Sequence, residues 1–141
     1  YVDALRGLVS YGDGGELWLF NAQGEGKQLK GPSKPIQGAL YVDALRGLVS
    51  YGDGGELWLF NAQGEGKQLK GPSKDIRGAL YVDALRGLVS WGDGGELWLF
   101  NAQGEGKQLK GPSESICGAL YVDALRGLVS YGGCGELWLF N

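Results

Sequence analysis

YVDALRGLVSYGDGGELWLFNAQGEGKQLKGPS, residues 41–73, is divided by its glycines, its Asp-Gly step and its Gly-Pro-Ser end into four short segments. ALYVDA (39–44) leads into GLVSY (47–51), and Asp53-Gly54-Gly55 then turns the chain into ELWLFN (56–61). The turn Gln63-Gly64-Glu65-Gly66 follows, and the more polar KQLK (67–70) completes the set. Each segment is too short for a helix, and most are rich in Val, Leu, Tyr, Trp and Phe, the residues that fit a pleated surface. Gly and Asp at the turns tolerate the positive φ angles that tight hairpins need.

The third segment carries the most information. Side chains alternate along a strand, so Leu57 and Leu59 point to one side and Trp58 and Phe60 to the other. Both sides are apolar, which predicts a strand covered on both faces. The fourth segment has only Leu69 among lysines and Gln, the pattern of an outer edge whose charge discourages strand addition.

The unit recurs. Residues 1–21 return at 41–61, 81–101 and 121–141 with few changes, and residues 22–40 return at 62–80 and 102–120. A fixed period of 40 residues means one supersecondary unit stacked on copies of itself. Four antiparallel strands per unit, graded from apolar to polar, predict an all-β protein, a β-propeller of four-stranded blades. The chain, residues 1–141, reads as one repeat domain of four blades, the last stopping before its outer strand. Even loop residues match between copies, where drift would have blurred them, so the sequence is expected to be a designed or consensus one.

GELWLFNAQGEGKQLKG resembles the TolB-type propeller repeat, in which a short strand ends in an Asn-Ala-x-Gly turn before a strand carrying Leu. PIQGALYVDALRGLVSYGDGGELWLFNAQGEGK is also similar to quinoprotein (PQQ-like) repeats. The Trp-Asp pair of WD repeats is absent, since Leu59 follows Trp58. The resemblance implies a symmetric propeller.

Propellers run from about four to eight blades. Four blades therefore close alone or, with a second copy, form an eight-bladed ring about a two-fold axis; the dimer is the leading expectation, ahead of a four-bladed monomer and of seven- or nine-fold rings. Inter-blade packing is assigned to Trp18, Phe20, Trp58, Phe60, Trp98, Phe100, Trp138 and Phe140. An open arc is expected to leave Trp18 and Phe20, or Trp138 and Phe140, uncovered.

Against this background of identity only six columns vary. Tyr11, Tyr51 and Tyr131 align with Trp91; Asp13, Asp53 and Asp93 with Gly133; Gly14, Gly54 and Gly94 with Cys134. Lys34 and Lys74 align with Glu114, and the columns Pro35/Asp75/Ser115 and Gln37/Arg77/Cys117 differ throughout. Antiparallel order brings all six to one end of the blade. A ligand or partner site on that loop face would use Asp75, Arg77, Trp91, Glu114 and Ser115, because loops on a rigid scaffold commonly bind; neutral loop tolerance is the competing explanation.

Cys117 and Cys134 are the only cysteines. A disulfide between them needs Cα atoms about 4.4–6.8 Å apart and would contribute about 3 kcal/mol by chain entropy; free thiols are the alternative. Two sulfurs without His predict no zinc site. With no His in the chain and no base beside any Ser or Cys, neither an enzyme nor a cofactor is expected. The Asp of each Asp-Gly turn is assigned to capping its own turn.

The net charge of −3, with Lys and Arg scattered singly, argues against a nucleic-acid partner. No run of about 18 apolar residues predicts a membrane span, and no leader pattern stands at the start. Self-association is thus the expected partnership of a soluble recombinant protein whose compartment the sequence leaves unknown.

Overall fold

The computed structural model describes all residues, Tyr1–Asn141. The chain is all-β, with β1 (Leu8–Tyr11), β2 (Leu17–Phe20) and β3 (Gly26–Gln28) in a first sheet. A second sheet holds β4 (Ile36–Val42), β5 (Gly47–Gly52), β6 (Leu57–Phe60) and β7 (Gly66–Gln68). The third repeats it with β8 (Ile76–Val82), β9 (Gly87–Gly92), β10 (Leu97–Phe100) and β11 (Gly106–Gln108). The fourth has β12 (Ile116–Val122), β13 (Gly127–Gly132) and β14 (Leu137–Phe140). Every strand pairs antiparallel with its sequence neighbour inside its sheet.

The first strand of each complete blade differs from the sequence reading. It begins at Ile36 rather than Ala39 and ends at Val42. Ile36 pairs with Gly52, a bulge shifts the register by Gly38, and pairing resumes at Gly38↔Tyr51. Asp43–Leu45 leaves the strand as a 3-10 turn, closed by Arg46 in the left-handed region at φ 51°. Leu45 then packs its side chain on the blade's core instead of extending the ladder. The same left-handed arginine recurs at Arg6, Arg86 and Arg126.

The sheets stack through three apolar layers that all have the same composition. Val42, Val49, Leu57 and Leu69 of the second blade meet Ile76, Leu88 and Phe100 of the third. Leu17 and Leu29 of the first blade meet Ile36, Leu48 and Phe60 of the second. Val82, Val89 and Leu97 of the third meet Ile116 and Leu128 of the fourth, with Phe140 packed against them. Each blade therefore has two unlike faces. Val and the leucines of the third and fourth strands look toward the next blade; Ile, the second-strand Leu, Trp and Phe look back toward the preceding one.

Trp and Phe two residues apart share a side of the strand and stack at 6.0–6.2 Å between centroids in all four blades. The indole sits under the chain that links two blades. Gly71 lies against Trp98 so closely that a β-carbon there would stand 2.6 Å from the ring, and its φ of 148° is open only to glycine.

The two ends correct the expected blade inventory. The fourth sheet ends at its third strand, but the first is also three-stranded: its innermost position holds only Tyr1 and Val2, with a single Val2↔Gly7 bridge. Of the residues expected to be uncovered at the fourth blade's end, Trp138 is exposed, whereas Phe140 packs on the third blade; the open face of the fourth blade is the leucine face, with Leu137, Leu139, Leu120 and Leu125 exposed. At the other end the backward face of the first blade is open, with Leu8 exposed and Trp18 and Phe20 only partly covered.

Leu57 is wholly buried between two blades. Leu57→Ala is expected to lower stability by about 2–5 kcal/mol, the cost of a core cavity, read as a lower midpoint of chemical denaturation with an unchanged denaturant slope.

Candidate functional site

The variable columns meet at one end of the blades, where the turn after the second strand approaches the linker from the preceding blade. In the second blade Gln37 Nε2 donates to Asp53 Oδ1 at 3.0 Å. In the third, Arg77 grips Asp93 with two bonds, Nε to Oδ1 at 3.0 Å and Nη2 to Oδ2 at 3.1 Å. In the fourth, the pair becomes Cys117 and Gly133, and a β-carbon on Gly133 would stand 3.8 Å from Cys117 Sγ. Cys134 is the next residue. Both cysteines are free and exposed, with no disulfide between them.

The turn carboxylates thus do not cap their own turns. The backbone closes that turn itself, with Glu56 N–H donating to Asp53 O and glycine supplying left-handed φ at Gly54 and Gly55. The Asp53 carboxylate is left to accept from the strand beside it. In the column of Pro35, Asp75 and Ser115, Asp75 reaches back to the preceding blade, where its Oδ1 accepts from Gly54 N–H at 2.8 Å, and Ser115 lines the same depression as Asp93. Hydrogen bonding from Arg77, with its charge, holds the Asp93 carboxyl below its ordinary value; the same partner raises Arg77.

Of the five residues assigned to a ligand site, Arg77 and Ser115 converge with Asp93, Ile116 and Cys117 on a shallow depression of about 370 Å³ between the third and fourth blades. Asp75 serves the neighbouring turn. The Trp91 ring lies across Gly78 and packs toward the core between those blades. Glu114 contributes its backbone N–H, at 2.8 Å from Glu136 Oε1. No three His, Cys, Asp or Glu side chains gather as metal ligands would, and no helix is long and apolar enough to cross a membrane.

Glu56, Glu96 and Glu136 form clasps between blades that single-residue motif reading missed. Glu56 accepts Ser33 Oγ at 2.7 Å and the N–H groups of Ser33 and Lys34 at 2.8 and 2.9 Å. Glu96 takes Ser73 and Lys74 in the same way, and Glu136 takes Ser113 and Glu114. The signal was present as Glu and Pro-Ser recurring in every complete linker, but only folding brings residues 22 or 23 apart together. A second tie is made by Lys67 Nζ, which donates to Gln103 O of the next blade at 2.8 Å, as Lys27 does to Gln63.

No protein-family model matches the chain, and no curated protein sequence matches it. The repeats are therefore interpreted from their own geometry.

Partial burial pushes the Glu56 carboxyl up, but the bonds from Ser33 and Lys34 and the Lys34 charge outweigh it, so its value falls below the ordinary one. At Glu136, the Glu114 N–H and then the Ser113 hydroxyl and N–H lower the carboxyl. A depressed carboxyl stabilises the fold fully above its unfolded value, about 4.3, and that stabilisation is lost as pH falls through the folded value. The melting temperature is expected to drop through this acid window, and Glu56→Gln to make the drop smaller, measured by circular dichroism melts between pH 7 and 3.

Proposed function

We propose that the chain is a designed symmetric repeat scaffold whose activity is to fold and self-assemble into a closed β-propeller, two chains completing one eight-bladed ring, with no catalytic function. The observation that carries this reading is the pair of unlike open faces at the chain's ends. The forward face of the fourth blade exposes Leu137 and Leu139, and the backward face of the first exposes Leu8 beside Trp18 and Phe20. Leucine-to-Trp/Phe packing is the contact that already joins the blades three times within the chain. The junction between chains would repeat it.

Four blades in succession leave both faces open, which favours a shared ring over closure of one chain on itself. A head-to-tail contact of this kind closes into a ring when the rotation allows it and otherwise grows as a filament. Each large apolar side chain moved from water into the junction contributes about 1.5–3 kcal/mol, so two junctions per ring supply a strong drive.

Light scattering is expected to give twice the 15.0 kDa chain mass, unchanged by reductant because face packing, and not Cys117 or Cys134, joins the chains. Leu137→Glu places a charge on the exposed end face while leaving the three internal layers intact. It is expected to return the mass to one chain with an unchanged circular dichroism spectrum. A wild-type mass of one chain at every concentration would overturn the ring.

The depression lined by Arg77, Ser115 and Cys117 favours a second reading, an engineered binding module on the altered loop face. Arg77→Gln with Ser115→Pro, the residues of the first linker, would abolish such binding and leave assembly untouched.

A further inference from the structure

We infer that the junction between the fourth blade of one copy and the first blade of the next is a binding site for an extended peptide. The peptide has the repeat's own linker sequence, AQGEGKQLKGPSKPIQGAL as it stands at residues 22–40. The inference rests on the ring reading above, because one peptide engages both blades only where they are neighbours.

Three linkers of this sequence show what the peptide does. Each first adds an outer strand to one blade and then an inner strand to the following blade. In the outer part, Leu29, Leu69 and Leu109 N–H donate to Leu17, Leu57 and Leu97 O, each at 2.8 Å. The linker leucine then covers the strand leucine beside it. Leu17, Leu57 and Leu97, covered by that leucine and by the following sheet, are 0% exposed, whereas Leu137, the same residue of β14 without either, is 72% exposed.

In the inner part, Ala39 pairs with Ser50 and Leu40 with Val49. That strand and the preceding sheet together bury Leu48, Leu88 and Leu128 to 1% exposure or less, whereas Leu8, which lacks both, is 53% exposed. Ser50, Ser90 and Ser130 are buried under it, and Ser10 is exposed. A cavity of about 500 Å³ lies beside that edge, lined by Tyr1, Val2, Val9 and Tyr11 of the first blade and by Ala39 and Leu48 of the second. Its size falls in the range of about 300–1,000 Å³ found for ligand sites.

Two polar groups wait along the path of the peptide, Glu16 at this junction and Lys107 on the third blade, beside the fourth. Glu16 stands where Glu56, Glu96 and Glu136 accept a linker serine, and its carboxylate makes no hydrogen bond within the chain. Lys107 stands where Lys67 donates to a Gln carbonyl, and it too has no such partner. In the peptide, Ser33 and the Lys34 N–H meet Glu16, and the Gln23 carbonyl meets Lys107. The recognition is β-augmentation: main-chain bonds hold the strand, and Leu29 and Ile36 enter the one apolar layer between the two blades, as they do within the chain, and so select the sequence.

The test uses the whole chain and a fluorescent synthetic peptide of residues 22–40, followed by anisotropy and by light scattering. Saturable binding of one peptide per chain is expected, about 100-fold tighter than either half (22–31 or 32–40), because the halves act together only across a formed junction. Glu16→Gln in the chain is expected to weaken binding roughly 3- to 10-fold, the loss of a charge-assisted contact. Leu29→Asp or Ile36→Asp in the peptide should abolish it.

Binding no tighter than that of a scrambled peptide overturns the inference, and a mass of two chains in that same experiment leaves the ring standing. Half-peptides that bind a single chain, with no gain for the full peptide, overturn both the bridging site and the ring. A chain of single mass at every concentration that doubles only on adding the full peptide supports the bridging site and overturns the ring closed by two chains alone.

Discussion

Everything in this molecule depends on the two-sidedness of the Leu-Trp-Leu-Phe strand. Because strand side chains alternate, a four-residue apolar run puts Leu57 and Leu59 on one face and Trp58 and Phe60 on the other. Both faces are apolar, so each of the two middle blades lies between two others. The faces are unlike, so every blade also has a direction. Leucine meets Phe at each of the three internal layers, joined by Trp58 and Trp98 at the first two, and the stack cannot be built head to head.

Polar contacts then set how neighbouring blades are seated. The clasp from Ser33 and Lys34 to Glu56 and the tie from Lys67 to Gln103 both cross between blades. They are exposed, and exposed charge pairs contribute little stability one by one. Their repetition at corresponding positions fixes the angle and offset of blade on blade, while apolar burial supplies the energy. Crowding at Gly71 under Trp98 acts in the same way, since only a residue without a side chain lets the linker cross that indole.

The loop face where the repeats differ shows how the repeated sheets absorb variation. The column Gln37/Arg77/Cys117 faces the turn column Asp53/Asp93/Gly133, which keeps Asp when Gln becomes Arg and changes only in the last copy. An amide–carboxylate bond in one blade becomes a two-bond Arg–Asp pair in the next, then a thiol beside glycine. Each exchange is accommodated by its partner, and the strands on either side keep their register.

The sequence by itself determined the 40-residue unit, its antiparallel strands, its turns and the face-to-face demand of the third strand, because these follow from local periodicity and turn chemistry. It also placed the variable columns at one end, since antiparallel order alone requires that. Several features needed the tertiary structure. Ile36 begins a strand only because Gly52 of the next strand pairs with it, and Asp43–Leu45 curls because Leu45 finds the core. Which face looks forward, which leucines stay exposed at the ends, and that Glu56 would meet Ser33 all depend on how one sheet lies against another. Those contacts join residues far apart in the chain, so no local pattern encodes them.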